Sequence, residues 1–162
     1  MGRLIFEKNE LIEFLSHAER LVLIGVGNEN LGDDGVGVYI VNSIHKATKS
    51  NFVLNGGSVP ENITHKLRNL LPTHILLIDA ANFNEEPGSF ILATSDDVVG
   101  KSISTHQLPL SILMKYLENE YHANVRLLCI QIESKIPSMK LTQSVLHTAN
   151  NLINILIPYF SK

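Results

Sequence analysis

The sequence predicts an α/β fold: a three-layer sandwich in which a twisted, mostly parallel five-stranded sheet is flanked by helices. Two observations support this fold class. Short apolar runs, typical of strands buried on both faces, alternate with segments that have helical periodicity. In addition, 44% of the 162 residues are hydrophobic, which is enough for one substantial core. We therefore expect residues 1–162 to form a single domain with right-handed crossovers.

Residues 1–19 form an N-terminal extension ahead of the first strand. Apolar side chains recur at roughly helical spacing over residues 8–18, which predicts a short helix packed on the outside of the domain. The segment contains acidic residues and lacks the basic and apolar regions of a signal peptide. No other stretch approaches the ~20 apolar residues that a membrane-spanning helix requires, so we expect no membrane association.

The first strands and the helix between them are predicted from apolar runs and glycines. The run at 20–26 leads into a glycine turn and predicts a buried strand, and the apolar stripe over 34–48 predicts a helix. A second strand at 51–55 is closed by Gly56 and Gly57.

Residues 58–72 predict a helix that begins with a capping box. Ser58 and Glu61 have the spacing at which a hydroxyl and a carboxylate satisfy free amides of the first turn, and Pro60 suits that turn. Pro72 ends the helix.

The second half of the chain continues the alternation with one exception. The link between the strands predicted at 74–82 and 88–94 is too short for a helix, so we expect the later strand to run antiparallel at an edge. After a loop, residues 104–122 predict a helix, 124–132 a fifth strand and 141–157 a closing helix.

Composition limits the classes of partner. The formal net charge is -3 and 18% of residues are charged, which excludes the extended positive field of a nucleic-acid binder and a basic segment for anionic membranes. A small ligand or a protein partner fits better. Cys129 is the single cysteine and lies in an apolar run. One cysteine cannot form an internal disulfide or a thiolate zinc site, and this usage predicts a cytoplasmic protein.

Three titratable residues are predicted at one edge of the sheet. In open α/β sheets, ligands bind beyond the carboxyl ends of the strands, near the point where strand order reverses. Asp34 follows the first strand, Asp79 lies at the end of the third, and His106 opens the helix after the fourth. Two carboxylates and one imidazole can hold a divalent ion with open positions, and the set suits zinc or nickel better than calcium.

Each of these residues also has a simpler interpretation. Asp33 and Asp34 lie at a helix start, where acids cap free amides. His106 would ordinarily be a surface residue, Glu61 completes the capping box, and Cys129 packs as a small hydrophobic side chain. Asp79 is harder to explain as structural because a carboxylate after four apolar residues is desolvated unless it has a partner.

The glycine-rich turn after the first strand does not fit a dinucleotide site. Asn30 stands where the third glycine of that motif belongs, and Asn55 stands where the acid at the end of the second strand is required. Asp33 and Asp34 would also repel a pyrophosphate. The turn is better suited to a cation.

Four segments together resemble the maturation endopeptidases of nickel-iron hydrogenases, most closely the branch that serves formate hydrogenlyase and related energy-converting hydrogenases. They are "GVGNENLGDDGVG" (25–37), "NGGSVPEN" (55–62), "LLIDAA" (76–81) and "STHQLPL" (104–110), and they occur in the family's order. The sequence departs from the family pattern at the N-terminus, where about 17 extra residues precede the first strand.

The resemblance implies a cytoplasmic peptidase that removes a C-terminal extension from the large-subunit precursor. The precursor would supply the nickel, and no organic cofactor is implied. Asp34, Asp79 and His106 match the metal-contacting residues, and the two aspartates would be catalytic. The same segments imply substrate-binding roles for four residues, Asn28, Gly56, Gly57 and Glu61.

The chemistry of peptide hydrolysis leaves two interpretations of the nickel open. The sequence has no G-x-S-x-G motif and Cys129 is expected to be buried, so water is the expected nucleophile. Either the metal helps to activate that water, or it only registers the substrate while the carboxylates act as acid and base. A non-catalytic nickel-site checkpoint or chaperone, and a nucleotide-binding module, are the alternatives from other classes.

Overall fold

The structure is a computed structural model that describes residues 2–100, 110–133 and 140–161. Its centre is a five-stranded sheet with the spatial order β2-β1-β3-β5-β4. All neighbouring pairs are parallel except β4 and β5, so the predicted antiparallel edge strand is confirmed. The strands are β1 (Leu21–Val26), β2 (Val53–Gly57), β3 (His74–Ala81), β4 (Phe90–Ala93) and β5 (Asn124–Gln131).

In the described ranges, six α-helices flank this sheet. Alternate strand residues point to opposite faces, and each face has its own apolar core. Side chains of α1, α2 and α6 build one core, and those of α3 and α5 build the other, which confirms the three-layer sandwich. The helices are α1 (Gly2–Ser16), α2 (Val36–Thr48), α3 (Thr64–Leu70), α4 (Ser95–Gly100), α5 (Leu110–Tyr121) and α6 (Gln143–Leu156).

The N-terminal helix is longer than predicted and belongs to the core. Leu11, Phe14 and Leu15 are buried against the face that α2 and α6 also cover. Glu7 is buried as well, and its Oε2 accepts a hydrogen bond from the main-chain N–H of Leu92, at 3.2 Å. α1 therefore shields the outer edge of β4. None of the helices in the described ranges is long and apolar enough to span a membrane.

The capping box predicted at Ser58 and Glu61 is wrong. A 3₁₀ turn (Pro60–Ile63) precedes α3, its N-cap is Val59, and no side chain caps it. An unpredicted helix, α4, has the capping box instead. The Thr94 hydroxyl accepts from the Asp97 N–H at 3.1 Å, and Asp97 Oδ2 accepts from the Thr94 N–H at 3.0 Å. The start of the helix predicted at 104–122 lies outside the described residues, and α5 begins at Leu110.

Two glycines let α2 lie directly on the sheet between β1 and β3. A Cβ atom at Gly37 would collide with the carbonyl oxygen of Ile78 on β3 and would lie 2.6 Å from that of Val26 on β1. A Cβ atom at Gly25 would collide with the carbonyl oxygen of Gly37. The beginning of α2 is thereby held above the point where strand order reverses.

Gly37→Ala tests this close approach. Helix propensity alone would stabilise the protein by about 0.5–1 kcal/mol. We expect the opposite, a loss of about 2 kcal/mol or more, because the added methyl group collides with two main-chain carbonyls. The midpoint of urea unfolding measures the difference. Lys46→Ala on the exposed face of α2 is the control, and a more stable Gly37→Ala variant would contradict the packing.

Candidate functional site

The turn after β1 carries both aspartates into a buried position. Gly27 has a φ of 135°, and a Cβ atom there would collide with the carbonyl oxygen of Asp34. Its N–H donates to the carbonyl oxygen of Gly57 at 2.9 Å, which joins this turn to the end of β2. A 3₁₀ turn (Gly32–Gly35) follows, and all four of its residues are buried.

Asp33 connects two segments that are far apart in the chain. Its Oδ1 accepts from the Thr142 N–H at 2.8 Å, and its Oδ2 accepts from the Glu133 N–H at 3.0 Å. Both oxygens also lie within hydrogen-bonding distance of the Thr142 hydroxyl. Asp33 therefore holds the end of β5 and the beginning of α6 against the first turn.

Asp34 has a different environment. It is 7% exposed, and its Oδ2 accepts a hydrogen bond from the Asn28 N–H at 2.9 Å. The capping interpretation of the two aspartates is wrong, since α2 begins at an N-cap glycine, Gly35, and no side chain caps it. The bond to Asn28 closes the turn and orients the Asp34 carboxylate.

Asp79 lies near the carboxyl end of β3 and is fully buried. Its Oδ1 accepts from the N–H of Ala80 at 2.8 Å, whereas its Oδ2 has no hydrogen-bond partner among the described residues. Burial raises the pKa of Asp79 well above its ordinary value, and the negative charge of Asp34 raises it further. The Ala80 N–H acts in the opposite direction. This carboxyl group therefore favours its protonated form or a cation.

The two carboxylates flank the point where strand order reverses, because β1 and β3 are neighbours at the centre of the sheet. The third predicted ligand, His106, lies outside the described residues. Within the described ranges, no group of three His, Cys, Asp or Glu side chains forms a metal site. The pair can exchange a proton with a bound water, or it can supply oxygen ligands to a cation.

The four predicted substrate-binding residues do not all come together. Asn28 and Gly57 line a pocket of about 400 Å3 beside the first turn, together with Asn55. Gly56 is buried beside this pocket. Glu61 is exposed in the turn before α3 and is not among the residues that line the pocket.

Sequence reasoning missed a glutamine that orders the loop after Asp79. Gln131 is buried at the end of β5, and its Oε1 accepts from the N–H groups of Phe83 at 2.8 Å and Glu85 at 3.3 Å. Its Nε2 donates to Asn82 Oδ1 at 3.1 Å. The available signal was a polar residue at the end of an otherwise apolar strand.

Fold and site define the class of protein: a single-sheet α/β protein with two buried carboxylates at its switch point. The sequence profile of the HycI family, described as hydrogenase maturation protease, matches residues 38–159. The chain therefore belongs to the hydrogenase maturation protease family, and the resemblance drawn from its four segments is confirmed.

Individual relatives agree with this assignment. A Methanocaldococcus jannaschii protein named as a member of these proteases is 35% identical over 159 residues, 93% of this chain and 94% of the relative. The hydrogenase 3 maturation protease of Escherichia coli K12 is 37% identical over 61% of this chain and 65% of its own. The crystal structure of a [NiFe] hydrogenase maturation protease from Thermococcus kodakarensis has a TM-score of 0.84 at 27% identity, covering 94% of this chain and 99% of that one.

Asp33→Ala tests the structural role of the first aspartate. It removes the acceptors for two main-chain amides and one hydroxyl, so we expect a loss of about 2 kcal/mol in the free energy of unfolding. Urea denaturation measures it. Asp96→Ala is the matched control, because Asp96 is 88% exposed and its ion pair with Lys115 lies at the surface. Equal stability of the two variants would contradict the role of Asp33.

Asp79→Asn should stabilise the protein at neutral pH. The folded-state pKa of Asp79 lies above its ordinary value of 3.8. The contribution of Asp79 to the free energy of unfolding is therefore complete below pH 3.8 and is lost as pH rises through the folded-state pKa. The asparagine variant lacks this loss. We expect its Tm to exceed the wild-type Tm by a few degrees, on the order of 1 kcal/mol, above that pKa. The Tm values of the two proteins should converge at acidic pH. A Tm difference that does not change with pH would contradict burial of a charged Asp79.

Proposed function

We propose that the protein is an endopeptidase that removes the C-terminal extension of a nickel-iron hydrogenase large-subunit precursor after nickel has been inserted. The observation that carries the proposal is the pair formed by Asp34 and the buried Asp79, whose Oδ2 has no partner among the described residues. A buried carboxylate oxygen without a donor is unfavourable by about 1–3 kcal/mol and is typical of a site that awaits a proton or a ligand.

Nickel belongs to the substrate in this proposal. The oxygen atoms of the two aspartates suit a divalent cation, and the proposed third ligand is the imidazole of His106. Asp79 would release its proton as the cation approaches, since a positive charge favours the ionised carboxylate. A precursor without nickel leaves Asp79 buried and uncompensated, which gives a physical reason for discriminating between the two forms of the substrate.

Water is the proposed nucleophile. Cys129 lies beside Asp79 in the register of β3 and β5, is fully buried, and has a pKa raised by burial and by the neighbouring Asp79. Its thiol therefore stays protonated and cannot attack a peptide carbonyl. One of the two carboxylates takes the proton of the water and returns it to the leaving amine.

The remaining parts of the proposal concern the surroundings of the site. Asn28, Gly56 and Gly57 would contact the precursor beside the scissile bond, with Glu61 farther out on the same side of the turn before α3. The protein would act in the cytoplasm. Its partner is the precursor, and it requires no organic cofactor.

The decisive experiment incubates the purified protein with nickel-loaded precursor and follows the precursor's mass. The proposal predicts a loss of mass equal to a C-terminal peptide. An intact precursor in a stable complex would instead indicate a non-catalytic checkpoint. Nickel-free precursor should remain whole, and its complete cleavage would show that nickel is not the signal.

Asp34→Asn and Asp79→Asn should each lower the cleavage rate at least ~100-fold, because each removes a group that transfers a proton or binds the cation. His106→Ala should have a comparable effect. Asp96→Asn is the matched control and should cleave at the wild-type rate, since Asp96 is exposed on α4. Thermal melting shows whether each variant is folded, and near-normal processing by both site variants would refute the assignment.

A further inference from the structure

The two edges of the sheet differ in whether another part of the chain covers them. At β4 the outer edge is covered, because Glu7 of α1 accepts a hydrogen bond from the main-chain N–H of Leu92. At the other edge, β2 pairs with β1 alone among the described strands. Exposed edges invite pairing with other chains, and proteins usually cover or interrupt them. An edge left open beside a functional site is therefore a candidate for binding an extended peptide.

Backbone groups of β2 face this open edge. The N–H of Leu23 on β1 donates to the carbonyl oxygen of Phe52, so Phe52 and Leu54 turn their main-chain groups toward β1. The intervening residues, Val53 and Asn55, turn theirs outward. The edge therefore offers the Asn55 N–H and the carbonyl oxygens of both residues to an added strand.

A groove runs along this edge. It has a volume of about 570 Å3 and lies between α2 and α3, which cover opposite faces of the sheet. An added strand would thus be covered on both faces, as strands in a parallel sheet are. Asn55 lines this groove and also the pocket beside the first turn, so the two are continuous and lead to Asn28, whose N–H binds Asp34.

The charge of the groove favours an acidic occupant. Its lining residues include His45, His65 and Lys66 and contain no carboxylate. The chain segment that contributes the lining, residues 41–70, has one acidic residue, Glu61, against four Lys and Arg residues, although the whole chain has a net charge of -3. A lining with one lysine, two histidines and no carboxylate can attract carboxylates.

We propose that the precursor segment to be removed binds in this groove as an added strand on β2, as an extended peptide rich in carboxylates and including its C-terminal carboxylate. The inference rests on the proposed peptidase function. It also sets a direction: the scissile bond lies near Asp34 at the carboxyl end of β2, and the removed segment extends toward Val53, antiparallel to β2. Main-chain hydrogen bonds would provide binding that tolerates different side chains.

The first test maps hydrogen exchange in the Asp34→Asn variant, which should cleave the nickel-loaded precursor at least ~100-fold more slowly, at concentrations where co-purification shows that the variant still binds the precursor. We expect the Asn55 amide and its neighbours in β2 to be protected only when precursor is added. Unchanged exchange throughout β2 would overturn the inference. Protection that depends on the protein's own concentration, without precursor, would also overturn it, because the edge would then pair with a second copy of this chain.

The second test uses a matched pair at Asn55. Asn55→Ala and Asn55→Pro both lose the side-chain bonds to Asn42 and Gly57, but only proline removes the outward N–H. Proline is tolerated where a strand's N–H faces away from its partner. We expect the KM of Asn55→Pro for nickel-loaded precursor to exceed that of Asn55→Ala roughly 3- to 10-fold, with similar kcat. Equal KM values would overturn the inference.

A charge reversal in the groove tests the same inference without a proline substitution. Lys66→Glu should raise KM at low ionic strength, and added salt should reduce the difference from wild type. Lys8→Glu, an exposed lysine on α1, is the control and should leave KM unchanged. The cleavage assay separates the two proposals. Failure of wild-type protein to shorten the precursor refutes the peptidase, whereas normal cleavage without these KM changes refutes only the groove.

Discussion

The contact between the beginning of α2 and the main chains of β1 and β3 determines where Asp34 and Asp79 lie. Gly25 and Gly37 lack side chains where a methyl group would collide with carbonyl oxygens, so the helix lies directly on the sheet. The turn before this helix contains Asp34, and the strand beneath it contains Asp79. A helix raised by even one methyl group would carry Asp34 away from Asp79, which lies only one residue beyond Ile78.

In the proposed function, burial of Asp79 links the stability of the fold to its activity. An unpartnered carboxyl oxygen in an apolar strand destabilises the folded protein by about 1–3 kcal/mol, a substantial part of the 5–15 kcal/mol that holds a typical domain together. The two apolar cores, one on each face of the sheet, allow the fold to tolerate it. A neutral side chain would be more stable but could neither lose a proton nor bind a cation. The unfavourable burial is therefore confined to one atom, Asp79 Oδ2, at the point where strand order reverses.

The sequence predicted the fold well because apolar periodicity reports burial, and burial determines which strands are central. It also indicated Asp79, since a carboxylate after four apolar residues is difficult to explain otherwise. It named Asp34 as a site residue but could not assign the role of Asp33, because that role depends on Thr142 and Glu133, about a hundred residues away in the chain. Local signals were ambiguous as well: the spacing at Ser58 and Glu61 formed no cap, whereas the equivalent spacing at Thr94 and Asp97 did.

The N-terminal helix covers the edge of β4, and this makes the open edge of β2 notable by comparison. If exposed edges were simply neglected, β4 would be as open as β2, yet Glu7 is buried so that its carboxylate can bind the Leu92 amide. Burying a carboxylate to cover one edge is unfavourable unless the covered edge would otherwise pair with other chains. The edge of β2 could also pair with other chains, yet no described strand covers it beside Asp34. The difference between the two edges agrees with the proposal that the substrate occupies the edge of β2 during turnover.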